Sequence, residues 1–197
     1  MQVAAEWRDV VATEGPVLAS RASSVIGRRF RKRVLRRDKR DAIMGAIPAD
    51  LPRTRVGDDE FVWPAGVDPA TYRGVRSSVR AHRKIHEIAP EEIANALRLT
   101  LSQARPGCTE TELVRGVTEL FGYGRMGRLI KEGITTVLDR LIRNGEFRRE
   151  GQRIIWGVTA TGDGAIDATG ATQRAGSRPR SAAAVRASRP NWRLFGQ

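Results

Sequence analysis

The chain has 197 residues and a formal charge of +13, from 35 Lys and Arg against 22 Asp and Glu, with one cysteine. A lone cysteine excludes an internal disulfide and any cysteine metal cluster, and no apolar run reaches the length of a membrane helix or a signal-peptide core. The expectation is a cytoplasmic, nucleoid-associated protein with an anionic partner and no membrane partner, although arginine outnumbers lysine by 31 to 4, as a GC-rich coding bias also produces, so the placement of the arginines must carry the argument.

Taken from the N-terminus, residues 2–12 place Val3, Trp7, Val10 and Val11 at i, i+4, i+7 and i+8, one face of a short helix. Gly15-Pro16 stops it. Leu18 to Ile26 predicts a second short helix ended by Gly27. A third is expected from Arg31 to Ile47, with Val34, Leu35, Ala42, Ile43, Ala46 and Ile47 inward and Pro48 as its stop. Thr54-Arg55-Val56, the turn Gly57-Asp58-Asp59 and Phe61-Val62-Trp63 predict a β-hairpin. Three helices followed by a hairpin is the order of a winged helix.

Residues 64–82 form a connector with few apolar side chains, and the stretch from Arg73 to Lys84 carries five positive charges. Pro90, with Glu91 and Glu92 behind it, suits a helix N-terminus, and Ile93, Leu97 and Leu101 give that helix its buried stripe. Pro106-Gly107 breaks the chain. Thr109-x-x-Glu112 is a capping box opening a helix that carries Leu113, Val117 and Leu120 and ends at Gly122. The next helix, from about Met126 to Arg143, directs Leu129, Ile130, Val137, Leu138, Leu141 and Ile142 inward. Asn144-Gly145 ends it, and Glu146–Arg149 and Arg153–Trp156 make a second hairpin around Gly151. From 159 to 189 the chain is Gly, Ala, Thr, Ser and Arg, too apolar-poor to offset its chain entropy, and disorder is expected. Asn191 to Phe195 then places two aromatics and a leucine at the end.

The two halves echo one another. Val25 to Leu35 returns 95 positions later as Leu120 to Ile130; the same offset pairs Ala42, Ile43, Ala46 and Ile47 with Val137, Leu138, Leu141 and Ile142, and Phe61-Val62-Trp63 pairs with Ile154-Ile155-Trp156. The expected fold is therefore mainly α with small β-hairpins (α+β). It divides into a first winged-helix-like unit (1–64), a basic connector (65–87), a second such unit (88–157) and a disordered basic tail (158–197).

Between Arg28 and Arg40 stand nine cations against one anion, Asp38. Lys32/Arg36, Arg33/Arg37 and Arg36/Arg40 are like charges one turn apart, a set costing about 1 kcal/mol that Arg37/Asp41 alone offsets. Folding gains nothing from that arrangement, so an external polyanion is the natural counter-charge. In a winged helix the third helix enters the major groove, phosphate contacts supply affinity and base-edge contacts specificity. The candidate contact residues are Arg28, Arg29, Arg31, Lys32, Arg33, Arg36 and Arg37, with Arg53 and Arg55 on the first hairpin. In the second half they are Arg125, Arg128 and Lys131, with Arg148, Arg149 and Arg153 on its hairpin. Trp63 and Trp156 suit core positions, whereas Tyr123 beside Arg125 is the better base-stacking candidate.

No catalytic or cofactor-binding constellation stands out. His82 and His86 are four apart but lack a third ligand, and Cys108 has no positioned base. Gly122-Tyr-Gly-Arg-Met-Gly127 mimics a dinucleotide fingerprint without a preceding strand or a following acid. Asp58-Asp59 sits in a turn that favours Asp, and Glu132 and Asp139 face outward. No enzyme activity, cofactor or metal is expected.

Four segments carry a family resemblance: Glu14-Gly15-Pro16-Val17; Ile88-Ala89-Pro90-Glu91-Glu92-Ile93-Ala94; Leu120 to Ile130, with its Gly-x-x-Arg-x-Gly element; and Arg140-Leu141-Ile142-Arg143-Asn144-Gly145. In that order they resemble the uncharacterised C-terminal domain of bacterial superfamily-one DNA/RNA helicase-like proteins, some of which also carry a restriction-type endonuclease domain. The resemblance spans Val3 to Trp156. It implies a non-catalytic nucleic-acid-binding accessory, duplex DNA first, to a helicase or nuclease subunit. The motor and its phosphate-binding loop are absent from these residues, so ATPase activity does not carry over, and Gly27–Arg33 has lost the small residues seen at Gly124 and Gly127. Two other readings stand beside it: a protein-interaction module docking a helicase subunit, and a winged-helix transcriptional regulator.

Overall fold

The computed structural model describes residues 2–30, 36–76, 83–104 and 106–157. The expected tail, its terminal aromatics, Val34, Leu35, His82 and the candidate cations Arg31, Lys32 and Arg33 lie outside them.

The described chain mixes helix and sheet, and one element order occurs twice. Helix α1 (Gln2–Glu14), the two-residue strand β1 (Val17–Leu18), α2 (Ala19–Arg29), α3 (Arg37–Gly45) and the hairpin β2 (Arg53–Val56) and β3 (Asp59–Val62) make the first set. After a 3-10 turn at Ile85–Glu87 come α4 (Pro90–Gln103), β4 (Cys108–Thr109), α5 (Glu110–Leu120), α6 (Arg128–Arg143), β5 (Phe147–Glu150) and β6 (Arg153–Trp156). Each hairpin is widened by its short strand into a three-stranded antiparallel sheet, ordered β1-β3-β2 and β4-β6-β5. Sequence reading found the hairpins and missed β1 and β4, since two residues carry no alternation to detect.

The sheets differ in one respect. Val17 and Leu18 pair with Val62 and Phe61, at the end of β3 far from its turn, whereas Cys108 and Thr109 pair with Ile154 and Arg153, at the turn end of β6. The tip of the first hairpin therefore projects unsupported by a third strand. Both tips turn on glycine, Gly57 and Gly151 at φ of 60° and 59°, a left-handed conformation that costs any other residue.

Each half has its own apolar core. Trp7, Val10, Val11, Ala22, Ile26, Ile43 and Val62 fill the first, and Ile93, Leu97, Leu113, Val117, Ile134, Leu138 and Phe147 belong to the second. A third cluster joins them: Leu18, Phe61 and Trp63 of the first half bury Ala89, which begins the second, with Val67 and Tyr72 alongside.

Several expectations need correction. Gly27 does not end the second helix; it is buried within α2. The third helix of the first half has only nine residues, Arg37–Gly45, with Arg36 as its N-cap, and Ala42 is exposed. Leu120 and Leu129, expected inward, are 37% and 65% exposed, and Trp156 is 37% exposed beside Phe147, with ring centroids 5.1 Å apart. The helices α2 and α5 start 91 positions apart and each has 11 residues, so the spatial repeat is registered on Phe30 and Phe121 rather than on the 95-residue offset.

The connector is built into the fold where it is described. Glu92, fully buried, takes hydrogen bonds from Arg76 Nη2 at 2.8 Å and from both terminal nitrogens of Arg83 at 2.9 and 3.0 Å. Arg76 also donates to the carbonyls of Glu14, Gly15 and Pro16 at 2.6, 2.6 and 2.8 Å. One carboxylate on α4 is thus tied to the end of α1, and two of the connector's charges face inward. Arg21, held by Glu14 at 3.0 Å and Glu87 at 3.1 Å, adds a second ionic tie between the halves.

Candidate nucleic-acid interface

Helix α3 is short because its sequence supplies one core side chain. Ile43 is buried and Met44 partly so, while Arg36 through Ala42 are exposed at every position. What fixes the helix is its C-terminal end, where the Trp7 indole Nε1 donates to the Ile43 carbonyl at 2.8 Å. Arg36, Arg37, Lys39 and Arg40 therefore face water along with Asp38 and Asp41. Arg37 reaches Asp41 only at 4.0 Å with its side chain 97% exposed, a pair of little energetic weight. Among the described residues Arg36, Lys39 and Arg40 have no carboxylate partner.

Beside this helix, a cleft of about 380 Å³ runs between α2, α3 and the 3-10 turn. Ser20, Ser24 and Arg28 line it along one face of α2, Arg40 enters from α3, and His86 and Glu87 close the far side. Glu87 is engaged with Arg21, and Arg28 and Arg40 stand at the mouth without a carboxylate partner among the described residues. Arg40 and His86 were not among the sequence-derived contact residues; the signal available was that Arg28 and Arg40 close the same cationic run.

Other predicted residues are engaged within the protein. Arg29 is held by Glu6 at 2.7 Å and by Asp9, and the two carboxylates raise its pKa further. Arg53 and Arg55 share Glu60 at 3.8 and 3.5 Å on a hairpin whose tip adds Asp58 and Asp59. Arg149 sits between Glu110 at 2.7 Å and Asp139 at 3.4 Å, Glu110 first among the groups raising its pKa. Arg148 meets Glu150 at 3.4 Å, Arg128 meets Glu132 at 3.1 Å, and Arg153 donates to the Gly107 carbonyl at 3.4 Å. Arg125 and Lys131 are exposed. Among the described residues the first half gathers its unpartnered cations on one short helix and the adjoining face of α2, whereas in the second half Arg115, Arg125, Lys131 and Arg140, also without a carboxylate partner, are spread over α5, the following turn and α6.

Tyr123 is half-buried, and its hydroxyl donates to the Arg83 carbonyl at 2.9 Å, so its ring is built into the second core rather than presented for stacking. Trp63 is fully buried, with its Nε1 donating to Thr54 Oγ1 at 3.0 Å. Cys108 is buried against β6, and burial raises its pKa, away from thiolate chemistry. Among the described residues no three His, Cys, Asp or Glu side chains gather to hold a metal ion, and no helix is long and apolar enough to cross a membrane. No family model, curated protein or solved structure matches this chain.

Proposed function

We propose that each half is a winged helix and that the first binds nucleic acid, duplex DNA in preference, without catalysis, through α3 and the Arg28–Arg40 cleft. One observation carries this reading: α3 gives a single buried side chain to the core while exposing Arg36, Arg37, Lys39 and Arg40. A cationic helix held at one end and bare elsewhere is costly for a monomer and suited to a polyanion. The twice-used element order and the β1-β3-β2 strand order support the winged-helix reading. The motif resemblance supports an accessory role beside a helicase or nuclease subunit.

The test is an anisotropy titration of labelled duplex, single strand and RNA over a salt series. With about five phosphates neutralised, log K should fall against log salt with a slope of about −4 to −5 for duplex. Replacing Arg36, Arg37 and Arg40 by Glu should abolish binding with the circular dichroism spectrum unchanged. A folded triple variant with wild-type affinity removes α3 as the contact surface.

A further inference from the structure

The second half carries a surface that phosphate recognition does not explain. Leu129, in the first turn of α6, is 65% exposed, the most exposed large apolar side chain among the described residues. It borders an open groove of about 570 Å³ between α6 and the 3-10 turn, floored by Ile85, Tyr123 and Ile130. Lys84, His86 and Arg128 stand at the rim, and among the described residues no carboxylate lines it. The Tyr123 hydroxyl is fixed on the Arg83 carbonyl, and Arg83 is locked on Glu92, so one wall of the groove is rigid before anything binds.

We propose that this groove seats an acidic amphipathic helix of a partner protein, its apolar stripe on Leu129, Ile130 and Ile85 and its carboxylates toward Lys84, His86 and Arg128. The apolar floor requires apolar side chains from the occupant. The all-basic rim selects acidic flanks. Among the described residues no strand edge borders the groove, so the occupant does not dock by adding a strand and presents side chains, as a helix does. A nucleic-acid backbone fits less well, because Arg83 is already committed to Glu92 and an exposed leucine stands among the remaining cations. Arg128 meets Glu132 in a pair 82% and 54% exposed, weak enough for a partner carboxylate to displace. This site goes beyond the nucleic-acid reading of the first half and does not depend on it.

The probe is a fluorescein-labelled synthetic helix with Leu at i, i+3, i+4 and i+7 among Glu residues, titrated with the full chain. Two control peptides exchange Glu for Lys, or Leu for Ala. The proposal expects saturable binding of the first peptide and a loss of about tenfold with either control, the scale of removing a groove anchor or its charge complement. Leu129→Ser, at a site too exposed to unfold the chain, should weaken the acidic peptide by about the same factor and leave duplex affinity unchanged. Equal binding of the Ala peptide would reduce the interaction to charge and overturn the groove. Loss of duplex binding in Leu129→Ser would assign the leucine to nucleic acid and overturn the docking site. So would concentration-dependent self-association of the wild-type chain that Leu129→Ser abolishes, because the occupant would then be a second copy.

Discussion

Arg83 grips Glu92 with a two-pronged fork, Nη1 to Oε2 at 2.9 Å and Nη2 to Oε1 at 3.0 Å, and the two side chains are 3% and 0% exposed. Arg76 completes the carboxylate's shell and carries the link across to α1. A charge buried this deeply stays ionised only if its partners remain, so removing one is far more damaging than losing a surface pair. Glu92→Ala should therefore cost about 3–5 kcal/mol of unfolding free energy, whereas Glu150→Ala, which frees the exposed Arg148, should cost less than about 1 kcal/mol. Urea melts of the two variants decide it; equal midpoints would mean that the buried cluster is dispensable.

The same carboxylate should set the acid limit of the fold. Burial pushes the Glu92 pKa up, but the hydrogen bonds from Arg83 and Arg76 outweigh it and hold the group below its ordinary 4.5. A depressed acid contributes stability that is fully present above the unfolded value and is lost as pH falls through the folded one. Wild-type urea midpoints should hold from neutrality to about pH 5 and then drop steeply. Glu146, held down first by Arg98, adds to that drop. Glu92→Gln starts lower and should fall less over the same interval. Parallel pH profiles for the two proteins would show that Glu92 titrates alike folded and unfolded.

What the sequence made legible follows from where its signals are local. Thr109 and Glu112 form the capping box their spacing announces: Glu112 N–H donates to Thr109 Oγ1 at 3.3 Å, and Thr109 N–H donates to Glu112 Oε2 at 2.8 Å. The stripe Ile93, Leu97 and Leu101 is buried as its period requires. Leu129 misled because it lies one residue, about 100° of helix, from the line Ile130, Ile134, Val137 and Leu141 that meets the core. Ala42 stands in the same relation to Ile43. Glu92 was assigned to helix capping because nothing in its neighbourhood reveals that Arg76 and Arg83, 16 and 9 positions earlier in an aperiodic segment, fold back onto it. Of the candidate interface, the cationic run was visible at once; which of its arginines the fold neutralises was not, since Glu6 and Asp9 reach Arg29 from another helix.

That neutralisation separates neighbours. Arg28 and Arg29 are adjacent on α2, yet among the described residues the first faces the cleft without a carboxylate partner and the second is doubly paired. If the cleft meets phosphate, Arg28→Gln should lower duplex affinity several-fold and reduce the salt slope by about 0.9. Arg29→Gln should leave the slope unchanged and lower stability only slightly, because the pair is partly exposed and screened by solvent. Salt titrations of both variants read the difference directly, and identical slopes would place the contact elsewhere on the surface.

The attachment of α3 gives the most specific test of how the fold serves the proposed interface. The helix is secured by Ile43 in the core, by the partly buried Met44 and by the Trp7 indole bond to the Ile43 carbonyl, while Arg36 to Ala42 are exposed. Trp7→Phe keeps an aromatic ring in the core and removes the donor, leaving the Ile43 carbonyl with the Ala46 N–H at 3.1 Å, at a cost of about 0.5–1.5 kcal/mol. Because α3 has little else to hold it, that loss should concentrate there. Amide exchange should accelerate across residues 39–45 well before it changes in α4 or α6, whose core is separate. Duplex affinity should fall with it, since a helix that must be ordered on binding loses part of the interaction free energy to that ordering. An exchange increase spread evenly over both halves would instead make Trp7 a simple core filler, and α3 would then owe its position to contacts other than this bond.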